Sequence, residues 1–196
     1  MTALPEIILA STSPRRRELL AEAGLAFRVV APRAEAECGM CSGESPPELV
    51  ARLAYQKAAD VRSRIERGLV VACDTVAECA GHVLGKPRDE EHAREFLQLL
   101  SGREHRVYSG LCLWQAPEGE PRVEVERTVL KMRPLSPAEI DEITNAETYY
   151  GDAPEQVDFV DGYIRRLRST DDVHEDHAHP HFTVVRSGAV TAAVAA

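Results

Sequence analysis

"ILASTSPRRRELLAEAGL" (residues 8–25) decides how this 196-residue chain is read. The apolar run "EIILAS" ends in small polar residues, the pattern of a buried strand. Ser13 suits a helix N-cap and Pro14 the first helical position. Leu19, Leu20 and Ala23 then share one helical face, and Gly24 suits the stop. The stretch therefore predicts strand, tight turn, helix. Arg15, Arg16 and Arg17 sit at the start of that helix, yet the chain carries a formal net charge of −9. An acidic chain has little general affinity for nucleic acid or a membrane surface, so the basic cluster points to a small anionic ligand. A strand entering a helix N-terminus presents free N–H groups and the positive end of the dipole. Ser11, Thr12 and Ser13 can add hydroxyl donors, and arginine can grip phosphate oxygens in pairs. The same residues also fit a solvated helix face with a serine cap.

Outward from this stretch, "AFRVVAP" (26–32) reads as a second strand. "APRAEAECGMCSGESPP" (31–47) has no consistent period and reads as a loop. Ser45 and Pro46 open a helix, with Glu48 placed for a capping box. Leu49, Val50, Leu53, Ala54, Ala58 and Val61 give it a core side, and the pattern predicts helix to about Arg67. "LVVACDTVAECAGHVLGKP" (69–87) predicts a buried strand, a polar break at Asp74 and Thr75, and a hairpin through Ala80 and Gly81. "DEEHAREFLQLLSG" (89–102) is a helix with an acidic start and a glycine stop. "HRVYSGLCLWQA" (105–116) and "RVEVERTVLKM" (122–132) alternate like paired strands joined by "PEGEP". "LSPAEIDEIT" (135–144) is another capped helix start. After Thr144 periodicity weakens. One short helix near Val157 to Leu167 fits, and residues 145–196 are expected to be less ordered than the rest. No repeat or linker divides the chain before Thr144.

Hydrophobic residues make up 44% of the chain, and its length suffices for one domain with a core. No apolar stretch is long enough to span a bilayer. The opening residues carry their charges after the apolar run, the reverse of a signal peptide. A cytoplasmic location is expected, with Cys38, Cys41, Cys73, Cys79 and Cys112 reduced.

Four further positions could carry chemistry. Asp74 follows an apolar strand, and open α/β sheets bind ligands at strand ends. Lys86 stands in "GKP", where glycine allows close approach and proline stiffens the loop. Lys57 lies in the helix opened by Ser45. Glu35 and Glu37 could hold a hard cation through oxygen. Taken singly, each has an ordinary reading: a turn aspartate, a surface turn, a helix-surface lysine, a solvated acidic loop. Together with the anion cradle they supply cations, a carboxylate base and a metal carboxylate, the equipment for hydrolysing a phosphoanhydride. "CGMC" (38–41) and "HEDHAHPH" (174–181) suggest a rival, a metal-binding regulatory module. There is no second CxxC to complete a four-ligand zinc site, and reduced cysteines with a solvated tail are the simpler account.

"LASTSPRRRELL", "AYQKA", "CDTV", "LGKP" and "LSGREHRVYSG", in this order, resemble the Maf family of nucleoside triphosphate pyrophosphatases. The resemblance covers about Ile7 to Thr144, taken as the family domain (1–144), with 145–196 an atypical C-terminal region. It implies an α/β fold: a long mixed, twisted sheet flanked by helices, in two lobes with a cleft. It implies cleavage between the α and β phosphates with Mg²⁺ or Mn²⁺, and a homodimer. By position, Asp74 matches the family's proton acceptor. Glu35 matches the acidic residue that supports the metal, so Glu35 and Asp74 are the metal candidates. Arg15, Arg16, Lys57 and Lys86 match the residues that hold the triphosphate, and Ser11 begins the phosphate-facing turn. Arg15 and Thr75 match the branch acting on dTTP and UTP. Arg17 is left on the solvent side. The family's "KAG-Y-IQG" segment and closing "GLP" find no match after Thr144. A diverged replacement and a shifted reading frame both account for that, and a catalytically impaired nucleotide-binding homologue is the alternative function.

Overall fold

The computed structural model describes residues 5–36 and 43–144, and the backbone of Phe182–Val190. The elements run β1 (Ile7–Ala10), α1 (Pro14–Glu22), β2 (Phe27–Val29), a 3-10 turn (Ala34–Ala36), α2 (Pro46–Arg62), β3 (Gly68–Cys79), β4 (His82–Leu84), α3 (Glu90–Leu100), β5 (Glu104–Ala116), β6 (Arg122–Met132), α4 (Pro137–Thr144) and β7 (Phe182–Val190). The strands form one sheet in the order β2-β1-β3-β5-β6-β7, with β4 paired to β3. β1 runs parallel to β2 and β3, whereas β3 and β4 are antiparallel, so the sheet is mixed, as expected. The chain forms two compact units. The first comprises Met1–Val76, Tyr108–Arg127 and Gly188–Ala196, and the second Ala77–Val107 and Thr128–Ser187.

In the first unit β1 lies between β2 and β3, so the chain turns one way after β1 and the other way after β2. Right-handed crossovers then put α1 and α2 on opposite faces of the sheet. The α2 face holds the core: Ile8, Ala10, Ala54, Ala58, Val61, Val70, Ala72 and Cys112 are all fully buried. Tyr55 stacks on Trp114 at its margin, with ring centroids 5.2 Å apart. The capping box at the start of α2 is present, with the Ser45 N–H donating to Glu48 at 2.8 Å. Ser45's hydrogen bonds hold the Glu48 carboxyl below its usual range.

α2 ends at Arg62, short of the predicted Arg67. Arg64 and Ile65 donate to Val61 and Arg62, tightening the chain into a turn that leads to Gly68. Gly68 has φ +126°, and a Cβ there would lie 2.9 Å from the Glu6 carbonyl oxygen. The expected core stripe of α1 is also not buried. Arg15 is its one buried residue, while Leu19 is 46% exposed. The turn through Ser11–Ser13 sets the rotation of this short helix, and it turns Arg15 inward. The polar pair Asp74–Thr75 does not break β3, which runs unbroken for 12 residues. Ladder hydrogen bonds do not depend on side-chain polarity, and both side chains find partners.

In the second unit Ala93, Leu97, Met132, Leu135 and Ile140 form the core between α3, α4 and the end of β6. Asp89 caps α3 by accepting the His92 N–H at 2.8 Å. Glu139 accepts from the Ser136 N–H and bonds to Arg133 at 2.5 Å, and these bonds push its pKa down to about 2. The predicted hairpin is present, with Ala80 (φ 50°) and Gly81 (φ 81°) both in the left-handed region between β3 and β4. β7 lies in a segment that carried no strand signal in the sequence. The helix expected near Val157 to Leu167 lies outside the described residues, as do Cys38, Cys41 and His174 to His181. Among the described residues no helix is long and apolar enough to cross a membrane.

Candidate active site

The candidate site lies where the C-terminal ends of the central parallel strands meet the start of α1. Ser11 follows β1 and is buried. Its hydroxyl accepts the Ser13 N–H at 3.1 Å and an Arg16 Nη1–H at 3.2 Å. Ser13 occupies the N-cap in extended conformation but makes no side-chain cap to the first turn of α1, whereas α2 and α3 are both capped. Among the described residues Ser13 therefore gives α1 no side-chain cap, and the start of the helix carries the positive end of its dipole.

Arg16 also donates to the Thr75 hydroxyl at 3.5 Å, the long end of the hydrogen-bond range. Thr75 in turn lies 3.2 Å from the Ser109 hydroxyl of β5. Hydroxyls following β1 and within β3 and β5 are thereby linked in a row around one guanidinium.

The neighbouring residue of β3 serves the opposite face. Successive strand residues alternate sides, so Asp74 points with Val70 and Ala72 toward α2, and Thr75 points away. Lys57 of α2 meets Asp74 there at 2.7 Å. The lysine is only 6% exposed, against the expectation for a lysine on a helix surface. A charge this buried persists because it is paired and hydrogen-bonded. The ion pair uses Asp74 Oδ1. Oδ2 has no partner among the described residues, and the Asp74 side chain is 13% exposed. Cys73, on the same strand, is influenced by both cations. Burial pushes its thiol pKa up, and the nearby Arg16 and Lys57 oppose that shift.

The close approach of α2 depends on Gly110. A Cβ at that position would lie 2.2 Å from the Val50 carbonyl oxygen and 2.5 Å from its carbon. Only a glycine lets the helix backbone come this near β5. Lys57 stands seven positions after Val50, two turns along nearly the same helix face, so the docking of α2 carries Lys57 to Asp74.

The expected site residues are therefore arranged unevenly. Ser11, Arg16 and Thr75 are in contact, and so are Lys57 and Asp74. Arg15, expected beside Arg16, instead turns along its own helix to Glu22 at 3.2 Å and Glu18 at 3.3 Å. Its Nη2 is buried without a hydrogen-bond partner among the described residues. Arg17 donates to the Thr12 carbonyl and is exposed, as expected. Glu35 lies in the 3-10 turn and makes no hydrogen bond or ion pair among the described residues. Lys86 follows β4 in the second unit and is exposed. Ser109 and Gly110 were not anticipated, although both stand at the end of the "LSGREHRVYSG" motif.

The family profile described as "Maf-like protein" matches residues 6–154 of the chain. The chain belongs to the Maf family. Among its relatives is a dTTP/UTP pyrophosphatase of Rhodopirellula baltica, 51% identical over 147 residues, or 75% of this chain and 65% of that protein. The chain thus spans a little under two thirds of that relative. A dTTP/UTP pyrophosphatase of Carboxydothermus hydrogenoformans is 43% identical over 135 residues, covering 69% of this chain and 71% of the other. Among solved structures, the Staphylococcus aureus Ham1 protein aligns over 65% of this chain and 71% of its own, with a TM-score of 0.44 at 15% identity. Every motif contributing to the candidate site falls inside the matched Maf region.

Proposed function

We propose that this Maf protein hydrolyses the α–β phosphoanhydride of dTTP or UTP, releasing a nucleoside monophosphate and pyrophosphate. The carrying observation is the Lys57–Asp74 pair, which holds one carboxylate oxygen at 2.7 Å and leaves the other without a partner among the described residues. In this reading Asp74 Oδ2 accepts a proton from the attacking water, whose oxygen ends on one of the two phosphate products. Lys57 fixes the carboxylate against rotation and brings positive charge to the developing negative charge. Arg16, the Ser11 turn and the start of α1 hold the triphosphate beside the Asp74 carboxylate. Arg15 contributes if it leaves Glu18 and Glu22. Thr75 contributes to the preference for dTTP and UTP.

A divalent cation, Mg²⁺ or Mn²⁺, fits this donor set. The Asp74 and exposed Glu35 carboxylates are hard oxygen donors. Mg²⁺ is commonly held by one or two carboxylates together with water and substrate phosphates. When bound, the cation neutralises phosphate charge. We further read residues 1–144 as the catalytic domain, and the working form as a cytoplasmic homodimer; light scattering on the purified chain tests the dimer.

The test is pyrophosphate release from dTTP and UTP with Mg²⁺ or Mn²⁺, comparing the natural chain with Asp74→Asn. The absence of the family's "KAG-Y-IQG" segment after Thr144 favours a second reading, nucleotide binding without turnover. Tight binding with no pyrophosphate release from the natural chain selects that reading and refutes the first.

A further inference from the structure

The Ser109 hydroxyl lies outside the set of residues that motif and charge picked out, yet it completes the row around Arg16. Arginine can only donate hydrogen bonds, so Thr75 Oγ1 must act as acceptor toward Arg16 Nη2. That leaves Thr75 with one proton and one further lone pair, and the nearest described partner is Ser109 Oγ at 3.2 Å. The two hydroxyls belong to different strands, so the contact ties β5 to the side chain that meets Arg16. Ser109 is only partly buried, so the row is open to a ligand. At the other end of the row, Ser11 is itself held by the Ser13 N–H. Arg16 is thus braced at Ser11 and at Thr75, and each brace has a second support, the Ser13 N–H at one end and the Ser109 hydroxyl at the other.

We propose that Ser109 is a substrate-positioning residue: its hydroxyl fixes the Thr75 hydroxyl and, through it, the Arg16 guanidinium that faces the triphosphate. The inference rests on the proposed nucleoside triphosphate substrate, and its test is chosen to separate the two. Preorganisation of this kind works through binding, because a guanidinium already in place loses less freedom when the anion arrives.

The experiment is calorimetric binding of a non-hydrolysable α,β-methylene analogue of UTP to the full chain. Ser109→Ala is expected to weaken binding about 3- to 10-fold, the effect of one supporting hydrogen bond. Ser109→Thr keeps the hydroxyl and restores most of the affinity, which a purely steric role would not predict. The double variant Ser109→Ala/Thr75→Ala is expected to bind no more weakly than Thr75→Ala alone, since both act through one chain of contacts. Unchanged affinity in Ser109→Ala, failure of Ser109→Thr to rescue, or effects that multiply in the double variant would each overturn the proposal. An analogue that binds the natural chain while dTTP and UTP are not turned over leaves the Ser109 comparison readable and counts against the pyrophosphatase reading alone. No binding to the natural chain overturns both.

Discussion

Gly110→Ala tests whether the docking of one helix sets the chemistry of the site. The added Cβ would lie 2.2 Å from the Val50 oxygen, 2.5 Å from the Val50 carbon and 3.0 Å from the Ala51 nitrogen. All three are backbone atoms of α2, so no side-chain rotation relieves the overlap. Contacts of this kind rarely fall below about 3.2 Å, so α2 must recede from β5 by about 1 Å near Val50. Overpacking of this size typically costs about 1–3 kcal/mol. For a chain of this length that lowers Tm by roughly 2–12 °C. Lys57 lies about 10 Å further along nearly the same helix face and moves with it. A shift of about 1 Å would stretch the 2.7 Å contact to Asp74 beyond hydrogen-bonding range. Displacing a catalytic group by that much can cost on the order of 10²-fold in rate. The assay pairs a thermal melt with pyrophosphate release at saturating dTTP. The expected result is a lowered Tm with a kcat loss larger than the change in KM, because Arg16 and the Ser11 turn, proposed to hold the triphosphate, are held from β1, α1 and β3 rather than from α2. A variant with unchanged Tm and kcat would refute the argument, as would a loss confined to KM.

Three other outcomes follow from the same geometry. Asp74→Asn keeps an oxygen for Lys57 but cannot take up the water's proton, so kcat for dTTP or UTP should fall roughly 10²–10⁴-fold while analogue binding is retained; undiminished turnover would remove Asp74 from its assigned role. Lys57→Met breaks a largely buried pair and should destabilise the fold by about 3–5 kcal/mol in denaturant melts, with part of the loss recovered in Lys57→Met/Asp74→Asn. Glu139, held down to about 2 by Arg133 and Ser136, stabilises the start of α4 while it is ionised. Its folded pKa lies below the ordinary value of 4.5, so the stability advantage over Glu139→Gln should be constant above about pH 4.5 and shrink as pH falls toward 2; a gap that widens on acidification in paired melts would contradict this.

Most of the local architecture was legible because its causes are local. The capping box at Ser45 and Glu48, the acidic start of α3 and the glycine-containing hairpin after Cys79 depend on residues a few positions apart. The strand–turn–helix of residues 8–25 is of the same kind, and so is its open N-terminus. The helix end at Arg62 was misplaced because the apolar pattern continues past it. The stop is imposed by the turn toward Gly68, whose position is fixed by contact with Glu6 and Ile8.

The sequence by itself determined the family and the α/β class, and it supplied the candidate residues for a triphosphate site. Motif order and residue chemistry are properties of the chain, and they survive without coordinates. The tertiary structure decided which of those residues meet. Arg16 rather than Arg15 reaches Thr75, 59 positions away, because the rotation of α1 turns Arg15 inward to Glu18 and Glu22. Lys57 is buried against Asp74 rather than on the helix surface because Gly110 admits α2 close to the sheet. Asp74 and Thr75, adjacent in the chain, work on opposite faces because β3 continues through them and the pleat separates their side chains. Strand pairing, pleat and helix rotation link residues through space, and no short-range pattern in the sequence records them.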